Sequence, residues 1–162
     1  MKAENLRLLY FGQATWGSTS LQRYSALEKM FHTSYLVDFR RVFADKNSVR
    51  TIFNSVQGRI VFGPLISLAT KILMSEADRF RPDVIWVDGG FLLSKSAIIL
   101  IKKKYKCRVV HYTPDSLTAP GTSNRCMANA IGVYDDVVTT KEQDFAIYKK
   151  LGAKNVIFSF QG

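Results

Sequence analysis

Residues 10–19 read YFGQATWGST, and their spacing nearly completes a phosphate-binding loop. In the pattern G-x-x-x-x-G-K-[ST], Gly12 and Gly17 take the glycine positions and Thr19 the hydroxyl position, but Ser18 stands where the lysine belongs. That lysine carries the charge that meets the β and γ phosphates, and serine cannot supply it. The loop is therefore not expected to serve an NTPase. With two glycines only, it also misses G-x-G-x-x-G. What remains is a glycine-bearing loop entering a helix, whose free N–H groups and positive dipole end suit an anion or a hydroxylated ligand. A plain turn has the same sequence form. Arg23, one turn into the helix, would back up an anion or stand as a solvated arginine.

Other residues could carry chemistry at the ends of strands. Asp115, in TPDS, could act as a general base on a sugar hydroxyl, although Asp in such a tetrapeptide is also an ordinary turn residue. Asp88 and Gly89 close the run DVIWVDGG, and Thr140 and Lys141 close DDVVTTK. A lysine at a helix start opposes the dipole, and that unfavourable placement points to a ligand edge. His111 lies inside a strand and reads as packed. Two cysteines, Cys107 and Cys126, and two histidines show no metal or redox spacing, so no metal site and no cofactor are expected.

Behind these residues lies a regular alternation. Apolar runs at 6–11, 34–39, 83–88, 107–112, 136–140 and 155–160 read as strands. Between them the spacing predicts helices from about Ser20, over about 56–80 with a kink or break at Gly63-Pro64, over 94–106, over about 122–131, and over 141–151. Thr19 with Gln22, and Thr140 with Gln143, have the form of capping boxes. Strands alternating with helices throughout define an α/β fold, a Rossmann-like doubly wound parallel sheet of about six strands with helices on both faces. In such a sheet, ligands meet the carboxyl ends of the strands near the switch in strand order. Residues 12–19, 88–90, 113–121 and 139–141 should converge there.

The chain has 162 residues, 47% of them hydrophobic, with 11 Phe, 7 Tyr and 2 Trp, which fits one domain with its own core. No apolar run reaches the ~20 residues of a bilayer span, and no signal peptide is evident at the N-terminus. The net charge of +10 is uneven: residues 1–110 hold 18 Lys/Arg against 8 Asp/Glu, and residues 111–162 hold 5 of each. Such an excess attracts phosphates, anionic lipid or nucleic acid without distinguishing them, and a plain basic surface has the same composition.

Taken together, the opening strand, the GSTS loop, the helix with R-x-x-A-L (Arg23 to Leu27), PDVIWVDGG and the tail DDVVTTKEQDFAIYKKLGAKNVIFSFQG resemble the N-terminal domain of GT-B glycosyltransferases. The likeness is to the group-1 and spore-maturation, CgeB-like branch, and it spans essentially the whole chain. The resemblance implies that residues 1–162 form the acceptor-side half of a two-domain enzyme of polysaccharide biosynthesis. A nucleotide-sugar donor would sit on a C-terminal domain, and the acceptor would be a saccharide or a lipid-linked saccharide. No metal is implied, and the isolated chain is expected to be inactive. By position, Gly12, Gly17, Ser18, Thr19, Arg23, Asp88, Gly89, Thr140 and Lys141 would bind substrate, with Asp115 as the catalytic base. The two cysteines suit a reducing cytoplasm, and the resemblance implies a protein peripheral at the inner face of the membrane through Arg40, Arg41, Lys46, Arg50 and the apolar stretch 56–74, with no nucleic-acid partner. The alternative is a stand-alone Rossmann-like module that binds a nucleotide or anion without catalysis.

Overall fold

Six of the apolar runs lie side by side as one parallel sheet: β1 (Ala3–Gly12), β2 (Phe31–Asp38), β3 (Val84–Asp88), β4 (Arg108–Thr113), β5 (Asp136–Thr139) and β6 (Val156–Phe158). The computed structural model describes residues 3–43, 63–90, 92–118 and 125–160. The strand order is β2-β1-β3-β4-β5-β6, every pair parallel. The chain leaves β1 toward β2 and then returns past β1 to build the rest, so the order reverses between β1 and β3. At such a reversal the connecting loops diverge to opposite faces and leave a crevice.

The connections are α1 (Thr19–Leu27), α2 (Pro64–Phe80), α3 (Lys95–Tyr105), α4 (Arg125–Ala130) and α5 (Phe145–Lys150). Strand side chains alternate between faces. Leu9, Phe11, Ile85, Val87, Val109 and Val137 point one way, into the main core with Ala69, Leu73 and Ala77 of α2, Ile98 and Ile101 of α3, Met127 of α4 and Tyr148 of α5. Right-handed crossovers put these four helices together on that face. The other face carries α1 beside Tyr10, and a smaller cluster of Val110, Tyr112 and Val138 against Val84 and Trp86.

Several boundaries differ from the sequence expectation. Phe31, read as the end of the first helix, begins β2, because the helix gives way at Glu28–Met30 to a 3-10 turn. Strand β6 is shorter than expected. At Gly63-Pro64, where a kink or a break was expected, Pro64 opens α2 behind Gly63, the position where a missing N–H is harmless. Residues 56–62 and 122–124 of the expected helices lie outside the described residues. The last helix is a 3-10 turn, Glu142–Asp144, followed by α5.

Both expected capping boxes are replaced. Ser18, not Thr19, caps α1 by accepting the Leu21 N–H at 3.2 Å. The Thr140 hydroxyl donates to the Pro114 carbonyl at 2.9 Å, and no side chain caps the turn at Glu142. In each case a tertiary contact, or a cap one residue earlier, took the partner that the local pattern had assigned.

Candidate functional site

At the reversal of strand order, the ends of β1, β3 and β4 enclose a cleft of about 130 Å³. Its described lining is Gln13, Ser18, Thr19, Ser20, Arg23, Phe39, Asp88, Gly89, Thr113, Pro114 and Asp115. Three loops far apart in sequence thus meet because the parallel register brings the carboxyl ends of their strands level.

A buried polar chain forms the cleft wall. The Gln13 N–H donates to Ser20 Oγ at 2.9 Å, and Ser20 Oγ lies 3.3 Å from the Tyr10 hydroxyl. That hydroxyl donates to Asp88 Oδ2. The Ser20 carbonyl also lies 3.1 Å from that hydroxyl. The same Asp88 oxygen accepts from Arg23 Nη2 at 2.8 Å and Nε at 3.2 Å. The guanidinium also lies 4.5 Å over the Tyr112 ring, on the strand next to Asp88, which pairs with Tyr112 in register. Burial, reinforced by the Asp88 charge, pushes the Tyr10 hydroxyl well above its ordinary range. Tyr10 is therefore a neutral donor at any working pH. Burial acts against the Arg23 charge, but Asp88 outweighs it and the guanidinium is held more firmly protonated than usual.

This arrangement assigns roles that the sequence left open. Arg23 and Asp88 form an ion pair with side chains 20% and 7% exposed. Neither is a free charge awaiting a ligand. Across the described lining, one cation faces two carboxylates, Asp88 and Asp115. Such a balance disfavours a phosphate and suits a neutral, hydroxyl-rich molecule.

The Asp115 loop is held from below. The Asp115 N–H reaches Thr113 Oγ1 at 3.4 Å, and the fully buried Asp144 accepts the Ser116 hydroxyl at 2.8 Å and the Leu117 N–H at 2.9 Å. Thr140 reaches the same loop through Pro114. Asp115 itself is exposed at the cleft edge, where a carboxylate could take a proton from a bound hydroxyl.

The two glycines separate. Gly12 is buried but does not line the cleft; a Cβ there would lie 2.6 Å from Ser20 Oγ and strike the Tyr10 ring. It is glycine so that α1 can approach β1. Gly17 is exposed with φ +77°, and a Cβ added to it would meet no atom within 4 Å. A side chain at Gly17 would therefore not crowd the cleft, and the constraint there is the left-handed backbone alone. Ser18, Thr19, Arg23, Asp88, Gly89 and Asp115 line the cleft, whereas Gly12, Gly17, Thr140 and Lys141 are outside the lining. The Lys141 N–H is bound to Thr139 Oγ1 at 3.1 Å.

Sequence reading missed Tyr10, Ser20 and Phe39, whereas Gln13 and Thr113 fall within the expected loops without having been singled out. Tyr10 and Ser20 carried a usable signal, a polar group at a core position of a strand and of a helix; Phe39 carried none. His111 is buried as expected, against Tyr134 and Tyr148, and burial pushes its imidazole down to about 3. Among the described residues there is no group of three metal-ligating side chains, and no helix is long and apolar enough to cross a membrane. Arg40 and Arg41, expected on a membrane face, meet Asp38 at 3.0 Å and Glu76 at 3.4 Å; Lys46 and Arg50 lie outside the described residues. No protein-family model matches the chain, and no curated protein matches it in sequence.

Proposed function

We infer that this chain is the acceptor-side domain of a GT-B glycosyltransferase, holding a saccharide or lipid-linked acceptor while a second domain brings a nucleotide-sugar donor. The observation that carries the reading is the cleft at the β1/β3 reversal, whose charge balance favours a hydroxylated ligand over a phosphate and whose rim presents Asp115. In this reading Asp115 takes the proton of the attacking hydroxyl. Ser18, Thr19 and Gln13 bond the remaining hydroxyls, and the Arg23–Asp88–Tyr10 chain keeps the wall rigid. A peripheral contact with an anionic membrane is supported by the exposed Leu68 on α2 and Ile99 and Leu100 on α3, beside exposed Lys71, Lys95 and Lys103. Each lysine near such a surface contributes about 1 kcal/mol and is screened by salt.

The stand-alone nucleotide- or anion-binding module is the competing reading, and the first turn of α1 is what favours it. Titration decides between the two. Neutral saccharides should perturb the NMR signals of residues 13–23 and 113–115, and UDP- and GDP-sugars should show neither turnover nor tight binding. Sub-micromolar affinity for a nucleotide sugar would transfer the assignment to the donor side or to the binding module.

A further inference from the structure

Trp16 is 93% exposed, the most exposed large apolar side chain among the described residues. A single exposed apolar residue ordinarily needs no explanation. Here the backbone that carries it is fixed, although the indole itself is outside the cleft lining. Trp16 is the second residue of a tight turn closed by the Ser18 N–H on the Thr15 carbonyl at 3.0 Å, with Gly17 supplying the positive φ at the third position. The Ser18 hydroxyl donates back to the Gln13 carbonyl at 3.2 Å, and the Gln13 side chain donates to Thr15 Oγ1 at 2.7 Å. The loop is thus tied across its base, and the two residues that tie it, Gln13 and Ser18, both line the cleft. The cleft itself offers hydroxyls, an amide and carboxylates, but Phe39 is its only aromatic lining residue among those described. A pyranose needs both kinds of surface, polar groups for its hydroxyls and an apolar plane for its C–H face. An indole supplies a broad rigid plane with little conformational entropy to lose.

We propose that Trp16 is the stacking platform of the cleft, packing on the C–H face of a pyranose ring whose hydroxyls are bonded by the cleft residues. The assignment rests on the reading of the cleft as a saccharide site and adds the residue that selects for a ring.

The test uses the 162-residue chain and its Trp16→Ala and Trp16→Phe variants, with maltose, cellobiose and methyl glycosides as saccharide probes and uridine and guanosine as nucleoside probes. Saturation-transfer NMR reports affinity, and indole fluorescence reports the environment of Trp16, the other tryptophan, Trp86, being half-buried. At least one saccharide should bind. Trp16→Ala should weaken that binding about tenfold, Trp16→Phe should retain most of it, and the emission lost in both variants should shift to the blue when wild type is saturated. Equal saccharide affinity in wild type and Trp16→Ala overturns the platform and leaves the saccharide cleft standing. Binding of nucleosides alone through Trp16 overturns the pyranose assignment. Binding of no saccharide overturns the reading of the cleft, and the platform with it.

Discussion

His111 makes the stability of this fold dependent on pH over a definable range. Its ring, carried by the central part of β4, is fully buried, with Tyr134 and Tyr148 at 5.1 and 6.4 Å and neither nitrogen hydrogen-bonded among the described residues. Burial alone lowers its pKa to about 3, against about 6.5 in an unfolded chain. Because the folded value lies below the unfolded one, the unfolded chain takes the proton first. Stability is therefore complete above about pH 6.5 and falls as pH drops toward 3, by about 1.4 kcal/mol per pH unit. At pH 5 the loss is about 2 kcal/mol, a substantial part of the roughly 5–15 kcal/mol of a typical domain. Asp38, Asp83 and Asp135 are held below the usual carboxylate range; burial opposes this, but hydrogen bonds to Arg40, Arg7 and Lys102 respectively overcome it. Their stabilisation fades as pH falls below about 4, so the interval from pH 7.5 to 5 isolates His111. Urea unfolding at both pH values, for wild type and His111→Phe, measures the difference. The variant should be as stable as wild type or more so at pH 7.5, since no buried nitrogen is left unpaired, and should lose about 2 kcal/mol less on acidification. Equal losses in the two proteins would refute the reasoning.

The glycines give a second, paired expectation: Gly12→Ala should destabilise the fold by about 1–3 kcal/mol through overpacking against Tyr10 and Ser20, whereas Gly17→Asn should melt close to wild type because asparagine tolerates the left-handed region. Thermal melts of both variants check the contrast, and a Gly12→Ala protein that melts like wild type would remove the close approach of α1 to β1. For the wall of the cleft, Arg23→Met should cost about 2–4 kcal/mol by leaving the Asp88 carboxylate buried without its cation, and Arg23→Met/Asp88→Leu should cost less than the two single changes summed. A double-mutant cycle by urea unfolding reads the coupling; additive costs would mean that the pair does not act as a unit.

How much of this was legible beforehand follows from the range of each interaction. Alternation of apolar residues in DVIWVD and helical spacing in α2 and α3 are local properties, so the strands, the parallel sheet and the convergence of residues 12–19, 88–90 and 113–115 at one edge could be read from the chain. The expectation that the loop serves no NTPase likewise rests on the chain alone, since Ser18 lacks the charge of the lysine. Helix boundaries were less legible: Phe31 is apolar and fits a helix or a strand equally, and pairing with Ala3 across the sheet decides for the strand.

What only the tertiary structure decided were the partners. Tyr10, Arg23 and Asp88 span 78 residues, and nothing in their local sequences says that one carboxylate oxygen will receive both the phenol and the guanidinium. Asp144, on the α5 side of β5, is a helix-start residue by sequence and the anchor of the Asp115 loop by structure. Gly12 and Gly17 look interchangeable in the motif, yet one is fixed by a neighbouring ring and hydroxyl and the other by its own φ. The physical reason is common to all three cases. Local pattern determines which elements form, whereas strand order and register determine which side chains come within hydrogen-bonding distance, and those depend on the packing of the whole sheet.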